Sequence, residues 1–89
     1  MDSRSNLPID GKRRREQAAK DLLRTLSKRE LEVLKLVVEG RSNVEIGRAL
    51  DLSSKTVATY RSRMMEKLRI DNLPELVKFA IRAGVTSIY

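Results

Sequence analysis

The sequence predicts an all-α protein in which four helices form one small domain and a flexible or partly helical N-terminal arm precedes them. Two observations support this prediction. Residues that begin and end helices recur at regular intervals from residue 26 onward, and no segment has a convincing strand pattern. Because the 89 residues include only two tyrosines and one phenylalanine, the core must be built from aliphatic side chains.

A capping box predicts the start of the first of these four helices. In this pattern the Ser27 hydroxyl accepts a hydrogen bond from a free backbone N–H of the first turn, while the Glu30 side chain reaches back to the start of the helix. Apolar residues then recur at helical spacing on one face, and Gly40 ends the helix. We expect Glu30 to act as a cap and an ion-pair partner and not as a catalytic residue.

The next two helices are separated by a very short turn. A second capping box beginning at Ser42 opens a short helix that runs through Leu50. A tight turn at residues 51–52 follows, and Ser53 caps a longer basic helix that ends at Leu68. A short helix, a tight turn and a longer basic helix form a helix-turn-helix. Gly47 fits this arrangement if the following helix passes close to its backbone.

The last helix is capped by Asn72, carries Pro74 in its first turn and ends at Gly84. Its apolar side chains span an arc of about 200°, whereas a surface helix that joins one core needs only a stripe of about 100°. These apolar residues are Leu73, Leu76, Val77, Phe79, Ala80, Ile81 and Ala83. We expect the excess to be buried against another chain or domain, and Val77 and Ile81 to form the interface of a homodimer.

Composition excludes several classes of function. The chain has no cysteine and no histidine, so it lacks disulfides, thiolate metal sites, a thiol nucleophile and the commonest general base. We therefore predict no catalytic residue, no metal, no cofactor and no small-molecule ligand. No apolar run reaches the roughly 18 residues of a membrane span, so we expect a cytoplasmic protein without membrane contact. The net charge of +7 favours an anionic partner.

The chain divides into an arm and a domain. Residues 1–25 are predicted to be a basic arm or linker, with seven Lys and Arg against four Asp and Glu. Within the arm, residues 1–11 contain Pro8 and Gly11, and we expect little fixed structure there. Residues 26–89 are predicted to form the folded domain. The chain is either a short stand-alone regulator or a part of a longer protein. Because residues 1–25 resemble a linker, the second alternative is favoured.

Five motifs follow one another through residues 26–85: "LSKRELEVL", "EGRSNVEIGRAL", "SSKTV", "YRSRMMEKL" and "ELVKFAIRAGV". In this order and spacing they resemble the DNA-binding domain of the LuxR/FixJ type, which ends many bacterial two-component response regulators. The resemblance implies a helix in the major groove of DNA, here residues 54–68, and dimerisation through residues 73–83. Two residues depart from the family pattern. Arg69 stands where glycine is usual, and Ala58 stands where lysine is frequent.

A helical wheel assigns candidate DNA contacts on residues 54–68. Val57, Met64 and Leu68 fall on the core side, and small hydroxyl side chains occupy the opposite side. The predicted base contacts are Ala58, Thr59, Ser62 and Arg63. The predicted phosphate contacts on this helix are Lys55, Thr56, Tyr60 and Lys67. At the start of the preceding helix, the backbone N–H groups presented by Ser42, Asn43 and Val44 are predicted to contact phosphates as well.

Arg61 falls near the core side of the same wheel, where a lone guanidinium is costly. We expect its head to meet a carboxylate, either Glu30 or Glu45.

Three functions remain open at this stage. The first is a sequence-specific, double-stranded DNA-binding domain of a bacterial transcription regulator, the output domain of a response regulator, with RNA polymerase as a further partner. The second is the promoter-reading domain of a sigma factor. The third is a helical protein-interaction module that uses the same basic face.

Overall fold

The computed structural model describes residues 3–85, and this part of the chain consists of five α-helices without a strand. The helices are α1 (Ser3–Leu23), α2 (Lys28–Val38), α3 (Asn43–Leu50), α4 (Ser54–Leu68) and α5 (Leu73–Ala83). The predicted all-α class is therefore confirmed. Helices α2 to α5 are the four predicted from the sequence, and α1 is formed by the arm. The predicted end of the domain at residue 89 lies outside the described residues.

Helices α2 to α5 begin where the capping residues predict. The Ser27 hydroxyl accepts a hydrogen bond from the backbone N–H of Glu30 at 3.1 Å, and the Ser42 hydroxyl accepts one from Glu45 at the same distance. In each pair the glutamate side chain accepts a hydrogen bond from the serine backbone N–H at 2.8 Å. Ser53 accepts the N–H of Thr56 at 3.0 Å, and Asn72 accepts that of Glu75 at 2.9 Å. Local side-chain chemistry thus determines each start.

A residue with a left-handed backbone conformation lies at or just after the end of each of the helices α2 to α5. Gly40 and Gly84 have φ values of 91° and 74°, which glycine adopts without steric cost. Arg69 ends α4 with φ 58° and Asp51 ends α3 with φ 60°, although both carry a Cβ atom. Arg69 therefore adopts the left-handed backbone conformation that glycine adopts at the least steric cost.

The core lies between α4 and the helices that pack on its inner face. Helix α4 packs against α2 and α3, whereas α5 packs mainly against α1 and more lightly against α2. The largest fully buried side chains are Val33, Leu34, Ile46, Val57, Met64 and Leu76. The core is aliphatic apart from Phe79, as the composition predicts.

The expectation of little fixed structure in residues 1–11 is wrong for residues 3–11, which belong to α1. Ala19 is 3% exposed and packs with the core, which anchors the C-terminal half of α1. Once that half is helical, each preceding residue extends the helix without a new nucleation step. The helix also includes Gly11 and Pro8, although glycine and proline have low helix propensity and proline has no N–H to donate.

Helix α1 also changes the expectation for the apolar excess of α5. The arm of the same chain packs along α5, so another chain or domain is not needed to cover all of the wide apolar arc. Phe79 and Ala83 are buried, Val77 is half-buried, and Ile81 remains 47% exposed. The sequence did not indicate this contact, because α1 offers few apolar residues and its partner lies far along the chain.

Candidate nucleic-acid interface

Helices α3 and α4 are joined by a turn whose backbone packs closely against Gly47. The Leu52 N–H donates to the Gly47 carbonyl at 2.8 Å. A Cβ atom placed on Gly47 would lie 2.4 Å from the Leu52 carbonyl oxygen, far inside van der Waals contact. The predicted close packing at Gly47 is confirmed, but the approaching backbone is that of Leu52 and Ser53, in the turn immediately before α4, and not that of the helix itself.

Helix α4 separates a buried face from an exposed face. Val57, Met64 and Leu68 are buried in the core, as predicted. The four residues predicted to contact bases are all exposed and lie together on the solvent side: Ala58, Thr59, Ser62 and Arg63. The Thr59 hydroxyl donates to the Lys55 carbonyl at 3.3 Å, a weak bond that a better acceptor can replace. The structure brings these residues together without testing their contact with DNA.

The residues predicted to contact phosphates surround this face. Lys55 and Thr56 are exposed in the first turn of α4, and Tyr60 is half-buried against the core. Thr56 already accepts a hydrogen bond from the Ser53 hydroxyl at 2.9 Å.

The start of α3 presents a second group of these residues. The Ser42 N–H donates to Glu45, so the backbone donors that the first turn leaves to a phosphate are those of Asn43 and Val44. The Val44 side chain is 51% exposed beside them.

Lys67 has an intramolecular role that the sequence did not reveal. Its ammonium donates to Glu30 Oε1 at 2.7 Å and to the Thr25 carbonyl at 3.3 Å. Burial of the Glu30 carboxyl raises its pKa. The hydrogen bonds from Lys67 and Ser27, with the Lys67 charge, outweigh burial and lower the pKa overall. A phosphate contact by Lys67 remains a prediction and must compete with this ion pair.

The expected carboxylate partner of Arg61 is wrong. The Arg61 guanidinium donates to the Asn43 side-chain oxygen at 3.2 Å, and Glu45 is instead engaged by its own capping box. Glu30 is held by Lys67. Because an amide oxygen at the start of α3 lies within reach, Arg61 ties α4 to α3 without an ion pair.

A second basic region lies in a groove between α1 and α5. Its lining residues are Lys12, Arg15, Glu16, Lys78, Ile81 and Arg82. Four of the six side chains are cationic and one is a carboxylate, so the groove is strongly positive. The sequence signalled only its N-terminal half, as a run of basic residues, because the pairing of α1 with α5 requires the fold.

The described part of the chain contains neither a cluster of metal-binding side chains nor a membrane-spanning helix. Among residues 11–85, whose side chains the structure describes, no three or more Asp or Glu side chains come together in a way that would hold a metal ion. None of the helices described there combines the length and the apolar character needed to cross a membrane.

A helix-turn-helix whose second helix exposes hydroxyl and basic side chains defines a DNA-binding domain. Residues 24–80 match the family model of bacterial regulatory proteins of the luxR family, and the chain belongs to this family. The predicted resemblance and the predicted class, a DNA-binding domain of a transcription regulator, are thereby confirmed. The family match favours this function over a sigma-factor domain or a protein-interaction module.

The chain is similar to two bacterial regulatory proteins. The chain is 46% identical over 63 residues to the uncharacterized response regulatory protein YgeK of Escherichia coli, covering 71% of this chain and 43% of that protein. It is 45% identical over 62 residues to the oxygen regulatory protein NreC of Staphylococcus carnosus, covering 70% of this chain and 29% of that protein. The chain thus spans less than half the length of either relative.

A solved structure extends the likeness beyond the family motifs. The crystal structure of full-length FixJ from B. japonicum superimposes with a TM-score of 0.83 at 33% identity, over 94% of this chain and 41% of that one. A match of that extent exceeds what α2 to α5 supply, so it includes much of α1.

Proposed function

We propose that the chain binds a specific double-stranded DNA site by inserting α4 into the major groove. The observation that supports this most is the joint exposure of Ala58, Thr59, Ser62 and Arg63 on one face of α4, directly after the tight turn from α3. The major groove admits an α-helix and presents a distinct pattern of donors and acceptors for each base pair.

The four residues of this face have different recognition chemistry. Arg63 can donate two parallel hydrogen bonds to one guanine, whereas Thr59 and Ser62 each offer a short hydroxyl. Ala58 offers only a methyl group, which suits the methyl group of thymine. Arg63 alone among the four can make two hydrogen bonds to one base, and the other three side chains are short. Specificity is therefore expected to depend mainly on the base pair that Arg63 contacts.

The phosphate contacts are proposed to position the domain. Lys55, Thr56 and Tyr60 lie along one side of α4, and the backbone N–H groups of Asn43 and Val44 lie at the start of α3. Such contacts fix orientation and register on the duplex but read no sequence. The Arg61–Asn43 hydrogen bond connects the two sets of contacts.

We further propose that two copies bind together through α5. One α4 helix reads only a few base pairs, and a two-fold pair of domains reads an inverted repeat with half-sites about one helical turn apart. Val77 and Ile81 lie one turn apart on α5 and retain exposed apolar surface. The dimer is expected to be weak in the isolated domain.

The chain is proposed to act as the output domain of a longer, cytoplasmic response regulator. YgeK and NreC are each more than twice as long as the region that this chain matches, and YgeK is described as a response regulatory protein. In such a protein a receiver domain would precede α1, and RNA polymerase would be a further partner at the promoter.

The experiment that tests DNA recognition compares specific with random DNA. A binding site is first selected from random duplexes by the purified chain. Arg63→Ala is then expected to weaken binding to the selected site by about 1–3 kcal/mol and to affect random DNA much less. Lys55→Ala is the matched control. It should weaken both duplexes alike and reduce the slope of log affinity against log salt by about one unit. Equal losses on both duplexes for Arg63→Ala would contradict base readout.

A further inference from the structure

The groove between α1 and α5 is separate from the DNA-binding face. Helix α5 packs on α1 and α2, and α2 covers the buried face of α4. The groove is lined by residues of α1 and α5 alone and shares no lining residue with the exposed face of α4 that carries Thr59 and Ser62.

The groove combines concentrated positive charge with one apolar residue. Lys12 and Arg15 belong to α1, and Lys78 and Arg82 belong to α5. Each helix therefore contributes two cationic side chains to the groove. Glu16 is the one carboxylate among the lining residues. Lys78 also approaches Glu75 at 3.5 Å, but both side chains are more than half exposed, so water screens that pair strongly.

Ile81 lies among these cations and is 47% exposed. An exposed branched aliphatic side chain surrounded by cations is matched by a ligand with an apolar side chain flanked by anionic groups. The phosphodiester backbone of DNA supplies the anions but not the apolar side chain. A protein segment of acidic residues around one apolar residue supplies both.

We propose that the α1–α5 groove, formed by Lys12, Arg15, Lys78 and Arg82 around Ile81, binds an acidic peptide segment with an apolar anchor residue. The proposal does not depend on DNA recognition by α4. Since Ile81 also belongs to the proposed dimer face, an acidic segment and a second copy of the chain compete for it. The groove thus links partner binding to the association of two domains.

The test uses a short fluorescein-labelled peptide with one leucine in a run of glutamates. NMR titration of the isotopically labelled chain should shift the amide signals of residues 12–16 and 78–82, while a DNA duplex should shift those of α4. The peptide and a duplex with a single half-site, which binds one copy of the chain, should bind at once. Replacing the leucine by serine should weaken the peptide measurably in fluorescence anisotropy.

Arg15→Gln combined with Arg82→Gln should weaken the peptide about tenfold through the loss of two charged hydrogen-bond donors. The matched control, Arg13→Gln with Arg48→Gln, removes the same charge from exposed positions outside the groove and should have little effect. Circular dichroism checks that both variants fold.

Three results would overturn the proposal. The first is that the peptide shifts only α4 and is displaced by DNA, which would mean a general polyanion effect. The second is that raising the protein concentration alone shifts residues 12–16 and 78–82 and the peptide does not bind, which would assign the groove to a second copy. The third is equal weakening by the two double variants. Each can occur with specific DNA binding intact, so failure here is distinguishable from failure of DNA recognition.

Discussion

Lys67, in the last turn of α4, places its ammonium 2.7 Å from the Oε1 atom of Glu30, in the first turn of α2. The same oxygen accepts the Ser27 N–H at 2.8 Å, so one carboxylate oxygen caps α2 and anchors α4. The Glu30 side chain is 4% exposed and that of Lys67 is 40% exposed. The pair thus fixes the end of the proposed recognition helix to the core through a buried anion.

Removal of the Lys67 charge should destabilise the fold. Lys67→Met leaves the buried Glu30 carboxylate without its cation, and we expect a loss of about 1–2 kcal/mol in the free energy of unfolding, moderated by the partial exposure of Lys67. Urea denaturation of the variant and of the natural chain measures this difference in the free energy of unfolding. Lys55→Met is the matched control on the same helix, where an exposed lysine should change stability by less than about 0.5 kcal/mol. Equal effects of the two changes would show that the ion pair contributes nothing.

The charge of Glu30 should also make stability depend on pH in a defined direction. The pKa of Glu30 is lower in the folded protein than in the unfolded chain, because the bonds from Lys67 and Ser27 outweigh burial. Its stabilisation is therefore complete above the unfolded pKa and is lost as pH falls through the folded pKa. Glu30→Gln, which can retain the capping bond, should be less stable than the natural chain at neutral pH. The difference should narrow on acidification, and parallel stability curves would contradict the assignment.

Gly47 gives a prediction in which helix propensity and packing have opposite signs. Alanine is the better helix former by about 0.8–1 kcal/mol. Its Cβ, however, would meet the Leu52 carbonyl at 2.4 Å, so the turn before α4 must move. We expect Gly47→Ala to lower stability by about 1–3 kcal/mol and to weaken DNA binding.

Gly11→Ala is the control for this change. The nearest atom to a Cβ there is a flexible Arg15 nitrogen at 3.8 Å, so only the propensity gain should remain. Stabilisation by Gly47→Ala would mean that the turn adapts freely.

Sequence reasoning succeeded where a structural feature depends on neighbouring residues. The caps at Ser27 and Ser42 are decided within four residues, and the core face of α4 follows from helical period alone. It failed for partners that only the fold brings together. Lys67 and Glu30 lie 37 residues apart, and Arg61 met an amide instead of a carboxylate. The packing of α1 on α5 was also not predicted, because α1 has too few apolar residues to show which of its faces is buried.

Arg69 stores backbone strain at the end of α4. Its φ of 58° is left-handed, where a residue with a Cβ atom is disfavoured by roughly 1–2 kcal/mol. Arg69→Gly and Arg69→Ala both remove the charge, but only glycine relieves the strain. We expect the glycine variant to be the more stable of the two by about 1 kcal/mol in urea denaturation. Arg69→Asn should fall between them, and equal stability of all three would show that the conformation costs nothing.

The proposed dimer gives a final prediction in which the choice of substitution follows from the groove. Ile81→Glu would place a carboxylate among Lys12, Arg15, Lys78 and Arg82, where it is neutralised within its own chain. Ile81→Lys instead adds a like charge to that cluster and, across a two-fold axis, opposes the same lysine of a second copy. We therefore expect Ile81→Lys to disrupt dimer formation on an inverted-repeat DNA site more strongly than Ile81→Glu.

Gel-shift titration on duplexes with one and with two half-sites separates this effect from a loss of folding or of DNA contact. Ile81→Lys should bind the single half-site nearly as the natural chain does and lose the additional affinity for the paired site. Arg48→Lys serves as a conservative control on an exposed residue of α3. Val77→Lys should act in the same direction but with some loss of stability, because Val77 is half-buried. If both variants remain folded and retain full affinity for the paired site, α5 is not the dimer interface, since two like charges facing each other there are incompatible with close contact.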